Sequence, residues 1–455
     1  MRLDLTSLPH LQEVGESLSV SGLVPELQTV HRLTEAARGA GLSISPTIKL
    51  VAVQHMVRTN LTLFQALFKL GLQPCNTFVI GKGYSTCTGC LRAMQDAGAR
   101  ASEDLRPPLS GHYEEAREEE LRAFWSSLNG RGILERQEKV IIADVGGRLL
   151  SLAEEECAEI GAGPKVIGLE QTTSGIRRLE LRPRAFPIIN VAEAAAKPLH
   201  ESPLVAETII DRVDRRRPGR WPQMRVGVIG LGEIGQAMIA KLAARGLDVM
   251  GSDTENRIDS SGGTQPVALD TLVERAEIIF GCTGSDIFQN GLPARHQPNL
   301  VLVSCSSEDV EFRSLLREAT LAVQTEWPAQ DVTIAGPSGP VTILVGGYPF
   351  NFDTSGISVA EQAIQATTAL MLAGILTAAF MLSDSRQGYP SAFVQLPSLL
   401  QAAILRDWRR TWSGDRGLSQ EFDALATPEY LAAHSNGHIL DSQATFARTA
   451  ALMEA

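Results

Sequence analysis

The chain has 455 residues, 44% of them hydrophobic and 20% charged, with a formal net charge of −11. That acidity argues against a nucleic-acid partner, whose phosphates demand a basic face, and the length provides for two or more domains with buried cores. The opening MRLDLTSLPHLQEVGE lacks the charged-then-apolar order of a leader, no apolar run reads as bilayer-length, and the six cysteines are sparse, so reduced thiols and a cytoplasmic location are expected.

From the N-terminus to residue 205, apolar runs alternate with amphipathic stretches. TIKLVAVQHM (47–56), KVIIADVG (139–146), KVIGLE (165–170) and FPIINV (186–191) read as strands, with a helical pattern from Leu61 to Leu70 among the stretches between them. Cys87 and Cys90 have CxxC spacing, but no second pair and no thioredoxin-like context accompany them. Two small residues in a loop is the reading favoured over redox exchange or half a zinc site, and no metal is expected. The acidic run Glu114 to Glu120 reads as a solvated helix face and Arg215 to Arg220 as an exposed linker. Strands are next expected at 225–230, 247–252, 277–281, 300–304 and 342–346, then a long apolar helix over Ser358 to Leu382. The tail with Trp408 and Trp412 reads as helical and then loosely ordered.

The most specific stretch is RVGVIGLGEIGQAM (225–238). Its GxGxxG follows a β-branched run and opens a helix, the context that a dinucleotide loop requires. Gly230 permits a tight turn, Gly232 close approach of a pyrophosphate, and Gly235 close strand–helix packing, with Glu233 and Ile234 at the helix start. Asp253 ends the next strand, where a carboxylate accepts both adenosine-ribose hydroxyls and repels a 2′-phosphate. NAD is therefore the expected cofactor. The expected fold is α/β with two Rossmann-like parallel-sheet domains: residues 1–205, a central NAD-binding domain at 206–352, and a return helix with tail at 353–455. The cofactor half shows no Arg…Glu…His arrangement, which sets a simple 2-hydroxyacid dehydrogenase aside.

Several short stretches resemble the adenosylhomocysteinase family over most of residues 45–380. They are QHMVRTN (54–60), PCNTF…YSTC (74–87), IIADVGGRLL (141–150), GLEQTTSG (168–175), NVAEAAAKPLHES (190–202), IIFGCTGSDI (278–287), DVEF (309–312) and Asn351. The resemblance implies a split substrate domain around the NAD domain, and NAD used as a catalyst: a sugar 3′-hydroxyl is oxidised, the 4′-proton removed, the 5′-substituent eliminated and the ketone reduced again. It implies Lys197 beside the hydroxyl, Asp144 as the base for the 4′-proton, and His55 as a group titrating near neutrality at the 5′ end. Thr172, Thr173 and Ser174 would hold the nicotinamide ribose, Thr283 and Gly284 would line the cofactor, and Asn351 would hold the carboxamide. Asn76, Ser85 and Thr86 would form a substrate loop. A homo-oligomer, dimer or tetramer, acting on a small nucleoside-like molecule is expected.

The sequence departs from that family where the substrate's base and 5′ end would sit. Gln171 replaces a glutamate, Glu201-Ser202 an acid–amide pair, Ala206 a cysteine, Val57 a threonine and Ser307 a histidine. VIGKGY (79–84) interrupts the substrate loop, and FDTSGIS (352–358) and FARTAALMEA lack further family residues. Retained redox residues beside a changed substrate shell point to a 4′,5′-dehydratase of a nucleoside natural product. The rivals are adenosylhomocysteine hydrolysis and a non-catalytic NAD-binding protein.

Overall fold

The computed structural model describes residues 23–102, 111–135, 138–160, 165–217, 223–254, 266–320, 330–352, 355–384, 389–412, 424–434, 438–439 and 444–455. The readings of the opening residues, of the arginine linker beyond Arg217, and of the tail just after Trp412 lie outside the described residues.

Fourteen strands are described: β1 Lys49–Gln54, β2 Thr77–Gly81, β3 Arg100–Ala101, β4 Lys139–Asp144, β5 Lys165–Glu170, β6 Ile188–Asn190, β7 Arg225–Ile229, β8 Asp248–Ser252, β9 Ile278–Gly281, β10 Leu300–Ser304, β11 Val332–Gly336, β12 Gly339–Ile343, β13 Phe393–Gln395 and β14 His438–Ile439. They form two sheets. The first runs β14-β13-β6-β5-β4-β1-β2-β3 and is wholly parallel. The second runs β11-β12-β10-β9-β7-β8 and is parallel apart from the β11–β12 hairpin. Strands such as KLVAVQ and KVIIAD are buried along all but their first residue, as a sheet covered on both faces requires.

The strand orders place the ligand crevices. In the first sheet the chain steps outward from β1 through β2 to β3, then returns to β4 on the other side of β1. In the second it steps from β7 to β8 and returns to β9. Such reversals open a crevice beyond the carboxyl ends of the flanking strands, where ligands of open α/β sheets bind.

Two long helices join the sheets. Lys197–Arg216 carries the chain to β7, with proline in its first turn, where a missing N–H costs nothing. It meets the helix Glu233–Ala244 and the residue after it through Lys241–Glu207, Arg245–Glu207 and Arg245–Asp211 ion pairs. Glu361–Ser383 returns to the first sheet, and Gly374 allows it to lie on Leu169, whose Cδ1 would stand 2.5 Å from an added Cβ.

Several expectations are corrected. Glu361–Ser383 is long and apolar enough to cross a membrane, contrary to the reading that no such run exists, yet most of it is buried inside the molecule. The strand expected at 342–346 lies at Gly339–Ile343, because Val345 and Gly346 turn to φ 50° and 57°. The tail supplies two parallel strands to the first sheet, β13 beside β6 and β14 at the edge. Cys87 and Cys90 do not share a loop: Cys87 caps the helix Thr88–Asp96 and Cys90 lies inside it. The acidic run is only partly solvated, since Glu114 bridges Arg148 to Arg313 of the second unit and Glu115 pairs with Arg317.

Candidate functional site

The glycine loop leaves the carboxyl end of β7 at the second sheet's reversal. Gly230 has φ 92°, and a Cβ there would stand 2.8 Å from the Cys282 carbonyl, on the loop that leaves β9. At Gly235 a Cβ would stand 1.8 Å from the Gly230 carbonyl oxygen. The loop and helix can therefore close together only with glycine at both positions. Gly232 caps the helix without a side-chain hydrogen bond, leaving first-turn N–H groups directed out of the helix end. Glu233 is exposed there and Ile234 half-buried. Asp253 follows β8, and its Oδ2 accepts the Leu231 N–H at 2.6 Å, so this acid ties down the glycine loop.

A second loop completes this crevice. Thr283 Oγ1 donates to Glu311 Oε2 at 2.8 Å, and the Gly284 N–H donates to Oε1 at 2.7 Å. Burial pushes the Glu311 carboxyl up to about 7. Asn351 lies just beyond Phe350, whose N–H bonds the Ser304 carbonyl at the end of β10. Glycine cradle, strand-end acid and helix terminus together fit a dinucleotide.

At the first sheet's reversal, β1 ends in Gln54, with His55 next in the chain, and β4 ends in Asp144. Lys197 Nζ donates to the Gln171 carbonyl at 2.8 Å and pairs with Glu201 at 3.1 Å. The Gln171 side chain accepts from Gln54 Nε2 at 3.4 Å, and Asn60 Nδ2 donates to Gln54 Oε1 and to the His55 carbonyl. One polar network thus runs from Lys197 to His55.

His55 Nδ1 lies 2.6 Å from Ser85 Oγ, which donates onward to the Lys82 carbonyl at 3.2 Å. The Ser85 contact satisfies Nδ1 and leaves Nε2 as the second hydrogen-bonding atom of the ring. Burial, and then the charges of Lys82 and Arg117, hold His55 well below its ordinary value. It is neutral at pH 7, which corrects the expectation of a group titrating near neutrality.

Asp144 and Glu170 are register partners on β4 and β5. Burial raises both, and the Asp144 charge adds to the rise at Glu170, to about 8. Asp144 accepts the N–H groups of Val145 (2.8 Å) and Leu150 (3.0 Å), while Glu170 accepts those of Gly146, Gly147 and Thr172. Both carboxylates anchor the Asp-Val-Gly-Gly turn. Thr172 Oγ1 donates to Glu170 and caps the next helix at Gly175; Thr173 is exposed, and Ser174 bonds only weakly to Thr172.

The carboxyl edges of the two sheets face each other. Glu308, four residues past β10, pairs with Lys82 at 3.5 Å and Arg148 at 3.0 Å, and Asp309 accepts the Gly111 N–H. Phe352 stacks on His55 with ring centroids 4.2 Å apart. Ser307 is half-buried in the Glu308 loop, and Ser202 lies on the Lys197 helix. Thr86 donates to the Lys82 carbonyl. Asn76 does not join the site. It lies before β2, at the opposite edge of the sheet, where it bonds the Pro46 carbonyl. Lys82, Glu308, Gln54 and Phe352 escaped the sequence reading. VIGKGY, read as an interruption, is the end of β2 and the turn that supplies Lys82 and Tyr84.

A family model described as the D-isomer specific 2-hydroxyacid dehydrogenase, NAD binding domain, matches residues 204–286. This part of the chain is an NAD-binding, dehydrogenase-like domain. Two uncharacterized proteins of Mycobacterium tuberculosis, from strains ATCC 25618 / H37Rv and CDC 1551 / Oshkosh, are each 30% identical over 337 residues; the alignment covers 74% of this chain and 65% of theirs. Among solved structures, an NAD-complexed D-isomer specific 2-hydroxyacid dehydrogenase from Lactobacillus delbrueckii ssp. bulgaricus aligns with 11% identity and a TM-score of 0.32, over 75% of this chain and 100% of its own. Apo D-lactate dehydrogenase from Escherichia coli aligns with 15% identity and a TM-score of 0.30, over 60% and 79%. The family-model match overturns the expected membership of the adenosylhomocysteinase family: the cofactor domain carries the pattern of a family that the sequence reading set aside.

Proposed function

We propose that the chain is an NAD-dependent oxidoreductase acting on a small, polar, hydroxyl-bearing molecule held between the two carboxyl edges. The observation behind this reading is that the NAD crevice and the Lys197–His55 network lie at the reversals of two sheets whose carboxyl edges meet. Bound NAD supplies a hydride acceptor or donor. Lys197 is the residue assigned to the substrate hydroxyl: its Nζ is held at the edge of the network by the Gln171 carbonyl and Glu201. Neutral His55 offers Nε2 as a hydrogen-bonding atom, and Gln54 and Gln171 orient polar groups of the substrate. His296, the histidine of the cofactor unit, is spent at the amino-terminal edge of its sheet, where it bonds the Gln297 carbonyl and the Ser338 N–H. Proton handling therefore falls to the first sheet's loops.

The dehydration of a nucleoside sugar is not carried into this proposal, because it stood on the overturned resemblance. The carboxylate it required, Asp144, has each oxygen bonded to a backbone N–H.

The test is NADH absorbance in the full chain against a panel of hydroxy acids, polyols and nucleosides. A substrate should reduce bound NAD, and Lys197→Ala should lower kcat by about 10²–10⁴-fold, as removal of a positioned proton-handling group does, with NAD affinity nearly unchanged. Tight NAD binding with no reduction by any compound would favour the non-catalytic reading, and an unchanged kcat would remove Lys197.

A further inference from the structure

We propose that Cys87 and Cys90 form a redox dithiol that closes reversibly to an intramolecular disulfide, with Cys87 as the attacking sulfur and a low-molecular-weight disulfide as the oxidant. The placement carries this. Cys87 is the N-cap of the helix Thr88–Asp96, pinned by its N–H to the Met56 carbonyl at 2.9 Å and by its carbonyl to the Leu91 N–H at 3.0 Å. Cys90 follows three residues later inside the first turn, so both side chains lie on one helix face. Cys87 is 8% exposed and Cys90 wholly buried, which sets the order of attack.

The surroundings agree with these roles. The Cys90 thiol, the N–H groups at the helix start and Arg58 bring the Cys87 thiol down to about 6, while the same contact and burial push Cys90 up. At neutral pH Cys87 is the thiolate and Cys90 holds the proton, the division that a resolving pair needs.

The Cys87 thiolate attacks one sulfur of the oxidised disulfide, whose S–S bond breaks and releases one thiolate. Cys90 then gives up its proton and attacks the Cys87 sulfur, forming the protein disulfide and releasing the second thiolate. Two electrons pass from the dithiol to the small disulfide, which leaves as two thiols. The pair lies beside the candidate site, since Ser85, two residues earlier, bonds His55, and Gly356 packs directly on the Cys87 sulfur.

The full chain, native, is equilibrated with reduced and oxidised glutathione at graded ratios, alkylated under denaturing quench and mapped by peptide mass spectrometry. The peptide carrying both residues should lose two hydrogens as a unit. Cys90→Ser should trap glutathione on Cys87, while Cys87→Ser leaves Cys90 unmodified. Exposed Cys75 reports that the oxidant was active. The wild-type mass shift needs no variant, so a misfolded variant does not blunt the test. Free, alkylatable Cys87 and Cys90 at the most oxidising ratio would overturn the proposal. So would a disulfide formed instead at Cys282–Cys305, whose thiols also touch.

Discussion

Replacing Gly235 by alanine tests the cofactor crevice through a single methyl group. The added carbon would stand 1.8 Å from the Gly230 carbonyl oxygen, which is backbone and cannot rotate away. An ordinary C···O approach is roughly 3.3 Å, so loop and helix must part by about 1.5 Å, the difference of those two distances. A strained insertion of this kind costs about 1–3 kcal/mol of stability. A displacement of about 1 Å or more at a binding constellation costs on the order of a hundredfold in function, and a comparable loss of NAD affinity is expected. Gly246→Ala is the control: it has φ 77° but nothing within 4 Å of the added carbon, so it strains the backbone without moving the loop. Calorimetric titration of NAD into both variants, with circular dichroism to confirm folding, reads the effect. A folded Gly235→Ala protein that binds NAD within about twofold of wild type, well inside the loss expected from such a displacement, would refute the placement of the pyrophosphate on this loop.

Asp253→Ala removes both the ribose acceptor and the anchor of the Leu231 N–H, so NAD affinity should fall by about 10–100-fold, or about 1–3 kcal/mol; the same titration with NADP should show weaker discrimination, and equal affinities in wild type and variant would refute the role. Buried groups act on stability between about pH 7.5 and 5 in opposite senses. Glu170 and Glu311, raised chiefly by burial to about 8 and about 7, contribute stability that is lost as pH rises, whereas His55 and His200, lowered chiefly by burial, contribute stability that is lost as pH falls. In the unfolded chain each histidine titrates near 6.5, so the histidine contribution is fully present above that pH and is lost as pH falls toward the depressed folded values. Urea unfolding of wild type and of His55→Phe, which preserves a ring against Phe352, isolates the histidine contribution: the variant should gain stability relative to wild type as pH falls from about 7.5 to 5, and a difference that does not change with pH would count against the buried neutral imidazole.

The cofactor half was legible because its chemistry restricts residue type: no side chain survives at Gly230 or Gly235, and the acid must end the neighbouring strand. The same restriction misled. Glycine loop and strand-end acid serve any dinucleotide domain, so they could not discriminate between families, and the short stretches elsewhere carried more weight than they could bear. Asn76 was grouped with Ser85 by the family resemblance, although β2 separates them to opposite edges of the sheet. The two tail strands escaped notice because three and two residues are too short for any periodicity to show. Lys82 and Glu308 are 226 positions apart in the chain, and no local pattern reports a pairing made only when two sheets meet.

Glu308 shows what holds that meeting together. Its φ of 65° lies in the left-handed region, which disfavours a non-glycine residue by roughly 1–2 kcal/mol. Its carboxylate is buried, at a desolvation cost of several kcal/mol on the order expected for an ion inside a protein. Both costs fall on the cofactor unit, yet the cations that offset them, Lys82 and Arg148, belong to the other unit, and they hold the Glu308 carboxyl well below the usual carboxylate range. Asp309 fixes the same loop from the next residue by accepting the Gly111 N–H, and Arg313 repeats the crossing by pairing with Glu114. The strained backbone is thus stabilised only when the two carboxyl edges face each other, with Phe352 stacked on His55. A residue that costs energy in its own unit and recovers it in the neighbouring one couples the two carboxyl edges, so that the Glu308 loop is stabilised where the Lys82 turn meets it.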